Sequence, residues 1–214
     1  MDKRILCYGD SNTWGFIPGS GERYPENIRW TGICKQLLGS GYTIIENGIN
    51  GRTTIFDQPF NSYLNGLKGL GYALLSQAPI DLVVMFLGTN DITLHDMYNV
   101  QIGIDEIIRI CVNANTIYRA ESAIFRKKPE IILITPPPFL PIVDSLPGSA
   151  NGRYQASLGF QDAYAMVAKK YNIRNIDASK CSELSSVDGV HLTAKGHSLL
   201  GNAVAEEIRL LLEK

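Results

Sequence analysis

Two stretches, "VVMFL" at residues 83–87 and "IILIT" at residues 131–135, are apolar at nearly every position. A strand with one wet face alternates polar and apolar residues, so uninterrupted runs of this kind point to strands buried on both faces. Within their longer segments, Asp81–Leu87 and Glu130–Thr135, they join three further strand-like runs at Arg4–Tyr8, Tyr42–Glu46 and Ile173–Ile176. Between the runs the spacing turns helical. Trp30, Ile33, Cys34, Leu37 and Leu38 recur at i, i+3 and i+4, and so do Ile104, Ile107, Ile108, Cys111 and Val112. Residues Gln161–Tyr171 put Tyr164, Val167 and Ala168 on one helical face, and a last helix is expected over Ala194–Leu212 with Thr193 as its N-cap. Strands alternating with helices in this way predict a parallel sheet covered by helices on both sides.

The 214 residues suit a single α/β domain spanning 1–214, with no internal repeat, low-complexity tract or linker composition. The one long irregular stretch is "TPPPFLPIVDSLPGSANG", residues 135–152. Hydrophobic residues make up 45% of the chain and charged residues 19%, with a formal net charge of -1. Near neutrality removes the electrostatic reason to expect nucleic acid or an anionic membrane as a partner. The one basic cluster, Arg126-Lys127-Lys128, reads as a solvated turn before an apolar run. No stretch approaches the ~20 apolar residues of a membrane helix, and the first apolar run is shorter than the roughly 7 to 15 residues of a signal-peptide core. Cys7, Cys34, Cys111 and Cys181 are widely spaced and form no C-x-x-C pair, so buried thiols in a reducing cytoplasm are expected, with no metal site.

In a parallel sheet of this class, ligands bind beyond the carboxyl ends of the strands. The residues there are "GDSN" after the first strand, "NGINGRTT" after the second, "GTND" after the third and "SSVDGVHLT" after the fifth. Ser11 in the first loop needs a base to become a nucleophile, and histidine titrates in the right range. Of the three histidines, His95, His191 and His197, only His191 lies in a loop beyond a strand with a carboxylate, Asp188, three residues earlier across a glycine. Such a carboxylate would fix the ring tautomer and stabilise the imidazolium. Ser11 N–H, Gly51 N–H and the Asn90 side-chain amide could donate to an oxyanion if the sheet order is 2-1-3-4-5, which makes the first three strands neighbours. Asp10 and Asp91 would repel an oxyanion, so support of the loop backbones is expected of them. Arg52 could meet an anionic substrate group, form a structural ion pair or lie at the surface.

"GDSN" around Ser11, a glycine in "ENGINGRTT", "GTND" around Asn90 and "DGVH" at Asp188–His191 stand in the order of the four SGNH (GDSL) hydrolase blocks, and the chain resembles that family. The fuller strings "RILCYGDSNTWG", "RWTGI", "RTT", "LGTND" and "TPPP" are similar to its arylesterase/acyltransferase branch. The resemblance implies a flavodoxin-like three-layer α/β/α sandwich and a Ser-Asp-His triad of Ser11, Asp188 and His191. It also implies hydrolysis or transfer of a small acyl ester or thioester, and no metal or organic cofactor. It makes a homo-oligomer plausible. Asn12 replaces the family's usual leucine, which would alter the floor of the site. Gly48 and Gly51 are both candidates for the glycine donor, the place just before "RTT" favouring Gly51.

Trp14 either packs its loop or walls the acyl pocket, and Phe56, Phe60, Phe139 and Ile142 lie in loops that could overhang the site. Taken alone, Ser11 would read as a helix N-cap or turn serine. The competing function is a flavodoxin-like module that binds a nucleotide or flavin without catalysis, its glycine-rich loops serving as phosphate nests. Neither G-x-x-x-x-G-K-[ST] nor G-x-G-x-x-G follows the first strand, and Ser11 is not in the G-x-S-x-G of an α/β-hydrolase.

Overall fold

A computed structural model describes residues 2–119, 123–146 and 152–213. Strands β1 (Lys3–Gly9), β2 (Tyr42–Gly48), β3 (Ile80–Phe86), β4 (Phe125–Thr135) and β5 (Arg174–Asp177) form one all-parallel sheet in the order β2-β1-β3-β4-β5. Successive side chains of a strand face opposite ways, and the core divides accordingly. Leu6, Tyr8, Val83, Met85, Ile131 and Leu133 pack against α3 (Gly66–Gln77), α4 (Met97–Val112) and α7 (Phe160–Tyr171). Ile5, Cys7, Leu82, Val84, Phe86, Ile132 and Ile134 pack against α2 (Trp30–Leu38) and α8 (Ala194–Leu212). The expected three-layer sandwich is therefore present, and the doubly apolar strands are its middle layer.

The helices anticipated from spacing are α2, α4, α7 and α8, and Thr193 caps α8 by accepting the Gly196 N–H at 2.9 Å. Helix α3 had no clear signal. Its sequence, GLKGLGYALLSQ, carries glycines that weaken a helix, but close packing requires them. A Cβ on Gly69 would lie 2.8 Å from the Tyr8 hydroxyl, and one on Gly71 would lie 2.7 Å from the Tyr118 ring. The Arg126-Lys127-Lys128 cluster is not a turn. It lies inside β4, in an irregular stretch between the pairs Ile80↔Phe125 and Leu82↔Glu130, with Arg126 Nη1 on Asp81 Oδ2 at 2.8 Å. In the stretch 135–152, Pro141–Ser145 form a short 3-10 turn, and residues 147–151 lie outside the described residues. Cys7, Cys34 and Cys111 are buried, Cys181 is half-buried, and all four are free thiols. Among the described residues no helix is long and apolar enough to cross a membrane.

The register determines where the loops emerge. Gly9 is level with Gly48 on one side and with Phe86 on the other. The loops that begin at residues 10, 49 and 87 therefore leave the sheet side by side at its carboxyl end.

Candidate active site

Ser11 is the first residue of a four-residue helical turn, α1 (Ser11–Trp14), directly beyond β1. Its N-cap is Asp10, whose carboxyl accepts the Asn12 N–H at 2.9 Å, so Ser11 is free of the capping duty a turn serine usually has. The strand meets the turn tightly: a Cβ on Gly9 would lie 2.0 Å from Thr13 Oγ1. Gly15, with φ +93°, ends the turn by donating to Ser11 O. The serine backbone is thus held from both ends.

Ser11 Oγ is 2.9 Å from His191 Nε2, and His191 Nδ1 is 2.8 Å from Asp188 Oδ2. Asp188 Oδ1 accepts the backbone N–H groups of Val190 and His191, each at 3.0 Å. Gly189, with φ +73°, makes this D-G-V-H turn possible, since a side chain there would be strained and would press on Leu140 O. Burial pushes the Asp188 carboxyl up, but the His191 ring and the two backbone N–H groups outweigh it and hold the group below the ordinary carboxylate range. An ionised carboxylate only accepts. The shared proton therefore sits on Nδ1, leaving the Nε2 lone pair facing the serine hydroxyl. Such a chain can draw a proton off Ser11.

The loop after β2 carries Gly51 in the left-handed region, φ +79°, with its carbonyl accepting Gln58 Nε2 at 2.5 Å. Asn90 in the loop after β3 donates from Nδ2 to Arg52 O at 3.0 Å, which ties the two loops together. Among the described residues no acceptor takes up the N–H of Ser11 or Gly51. Gly48, the alternative glycine, stands at the end of β2 against α1, where a Cβ would lie 2.2 Å from Trp14 N. Its lack of a side chain has a packing reason.

Asp91 is buried and accepts the Thr54 N–H at 3.0 Å together with the Thr54 hydroxyl, so it braces the loop after β2 as expected. Burial raises the Asp10 and Asp91 carboxyls to about 6 each, against the bonds from Asn12 and Thr54. Arg52 does not lie at the surface, and among the described residues it forms no ion pair. It is buried, donates to Gly9 O at 2.8 Å and to Asn47 O at 2.5 Å, and lies 4.0 Å over the Tyr8 ring.

The expected pocket walls fare unevenly. Phe139 is a correction: it is 2% exposed and stands edge-on to Phe160 at 6.0 Å in the core, so it walls no opening. Asn12 is not a floor but a clamp, accepting Leu192 N–H at 2.9 Å and donating to Val190 O at 3.4 Å. Trp14 packs its own loop, with the Arg23 guanidinium 5.3 Å over the ring and Arg23 Nε on Trp14 O. Phe56 lies tilted against the His95 ring at 4.0 Å, Phe60 is fully exposed, and Ile142 packs near Gly189. Phe16 had no sequence signal, yet its ring lies 4.3 Å from that of His191. Among the described residues no group of three or more His, Cys, Asp or Glu could hold a metal ion.

The model of the GDSL-like lipase/acylhydrolase family matches residues 7–199, from β1 into α8. The chain belongs to this family. Among solved structures, the chain is similar to a carbohydrate acetylesterase from Sinorhizobium meliloti, at 33% identity and TM-score 0.90 over 99% of this chain and 100% of that one. It is also similar to the native aryl esterase of M. smegmatis, at 32% identity and TM-score 0.89 over 98% of this chain and 100% of that one. No curated protein matches the chain.

Proposed function

We propose that the protein is a serine hydrolase of small carboxylic esters, in which Ser11 is the nucleophile, His191 the general base and Asp188 the residue that orients His191. The observation that carries this reading is the continuous chain Ser11 Oγ–His191 Nε2–Nδ1–Asp188 Oδ2, with links of 2.9 and 2.8 Å. As Ser11 Oγ bonds to the ester carbonyl carbon, its proton passes to His191 Nε2, and Asp188 stabilises the imidazolium. The carbonyl oxygen becomes an oxyanion. The N–H groups of Ser11 and Gly51 and the second amide hydrogen of Asn90 donate to it, already held in place by α1, the left-handed Gly51 and the Asn90–Arg52 bond. Collapse breaks the bond to the alcohol, which leaves with the proton from His191. Water then gives a proton to His191 as its oxygen bonds to the acyl carbon, and collapse breaks the bond to Ser11 Oγ, which takes the proton back from His191 as the acid leaves. An alcohol in place of water yields a new ester, so acyl transfer uses the same groups.

Membership of an acylhydrolase family supports the reaction class, and the two neighbours bring aryl esters and acetylated carbohydrates forward as substrates to try. The test is a rate series on p-nitrophenyl esters of increasing acyl length, with and without added alcohol, in the parent and in Ser11→Ala. Turnover should favour short acyl groups and fall by about 10⁵-fold or more in the variant. Equal turnover in both proteins would overturn the assignment.

A further inference from the structure

Asn12 follows the nucleophile and is itself buried, 2% exposed. Its side chain reaches across to the chain on both sides of His191: Oδ1 accepts the Leu192 N–H at 2.9 Å, and Nδ2 donates to Val190 O at 3.4 Å. Leu192 is one residue after the base and Val190 one before it. A side-chain amide presents an acceptor and a donor side by side, as these two backbone groups require. Its own backbone is fixed in turn, since Asn12 N–H donates to Asp10 Oδ1. Asp188 anchors His191 from within its own turn, and that anchor sets the ring's tautomer but not its distance from a serine 180 residues away in the chain. Among the described residues, the only side-chain hydrogen bonds between α1 and the His191 loop, besides Ser11–His191 itself, are those of Asn12.

We propose that Asn12 is a positioning residue that fastens the His191 loop to the nucleophile's own helical turn and so sets the Ser11–His191 distance. The role rests on the ester-hydrolase reading for its effect on rate, but not for its effect on the ring. Leucine at this position fills a similar volume and makes neither bond, leaving Leu192 N–H and Val190 O without their partner. A base displaced by about 1 Å can cost about 100-fold in rate while substrate binding is unaltered.

Two measurements on Asn12→Leu test this. In steady-state turnover of whichever ester the parent accepts, kcat should fall by about 100-fold with KM little changed. The second is the NMR shift of the His191 Cε1–H, recorded with and without Ser11→Ala in each background. Removing the hydroxyl should move this resonance in the parent and leave it still in Asn12→Leu, because the ring there no longer meets Ser11. A resonance that responds equally in both backgrounds overturns the proposal whatever the activities. So does a loss confined to KM. Should Asn12→Leu fail to fold, Asn12→Ala removes the same two bonds without adding bulk and is read in the same way. Undiminished turnover in Ser11→Ala alone would sink the ester-hydrolase reading, while the NMR comparison would still decide the contact between Asn12 and His191.

Discussion

His191 and His197 lie close together in the chain, one in the loop before α8 and the other inside that helix, and their surroundings are opposite. Both ring nitrogens of His191 have polar partners, a hydroxyl and a carboxylate, and its side chain is 19% exposed. His197 is fully buried in the layer under α2. Its Nδ1 accepts the Trp30 N–H at 3.3 Å, its Nε2 has no partner among the described residues, and Tyr24 stands edge-on to it. Burial pushes the His197 ring down to about 3, with Arg29 adding to the effect. The contrast teaches that an imidazole can serve as a base only where its cation is provided for. Asp188 makes that provision at His191, and among the described residues no carboxylate bonds to His197. The proposed function therefore uses the first ring, and the second is packed in the core.

The largest test of this contrast is to delete the exposed ring. His191→Ala should lower kcat/KM by about 10⁵- to 10⁶-fold at nearly unchanged melting temperature. A loss under tenfold would break the comparison. Next, Asp188→Asn keeps the shape but can donate to Nδ1, favouring the wrong tautomer. A fall of about 10⁴-fold in kcat is expected, again from single-ester kinetics.

The smallest effect belongs to His197. His197→Phe leaves the Trp30 N–H unpaired and should cost about 1 to 3 kcal/mol at pH 7, measured by urea unfolding. It should leave kcat/KM of the folded protein within a few-fold of the parent. The sign of its pH dependence is definite. The folded ring stays neutral down to about 3, whereas the unfolded chain takes up a proton near the ordinary 6.5. Its contribution is thus complete above 6.5 and is lost as pH falls from there toward 3. Asp10 and Asp91, raised to about 6, act in the other direction between that value and 3.8, but they are common to both proteins. Between pH 6.5 and 4.5 the parent should therefore lose roughly 2 kcal/mol more than His197→Phe. Parallel stability curves would show that burial of this ring carries no such proton linkage.

Legibility followed the range of the interaction. Apolar runs and i, i+3, i+4 spacing are local, so four long helices and all five strands could be read from neighbouring residues. Asp188 and His191 were legible for the same reason, since a glycine turn between them brings their side chains together. Helix α3 escaped because its glycines weaken the local signal, and the reasons for two of them, the Tyr8 hydroxyl and the Tyr118 ring, lie elsewhere in the chain. The basic cluster at Arg126 looked like a turn because Asp81, its partner, lies on a neighbouring strand.

By itself, then, the sequence determined the alternation that makes a parallel sheet, the loops that carry Ser11, Asn90 and His191, and the pairing of Asp188 with His191. Only the tertiary structure decided that Asn12 grips the base loop, that Phe16 lies on the imidazole, that Phe139 belongs to the core and that Arg52 binds carbonyls. Each of these depends on which strands are neighbours and in what register. Pairing Gly9 with both Gly48 and Phe86 sets three loops level, and a shift of one residue would turn alternate side chains to the other face. Side-chain periodicity belongs to a single segment, whereas register belongs to two, and contacts between loops inherit that second dependence.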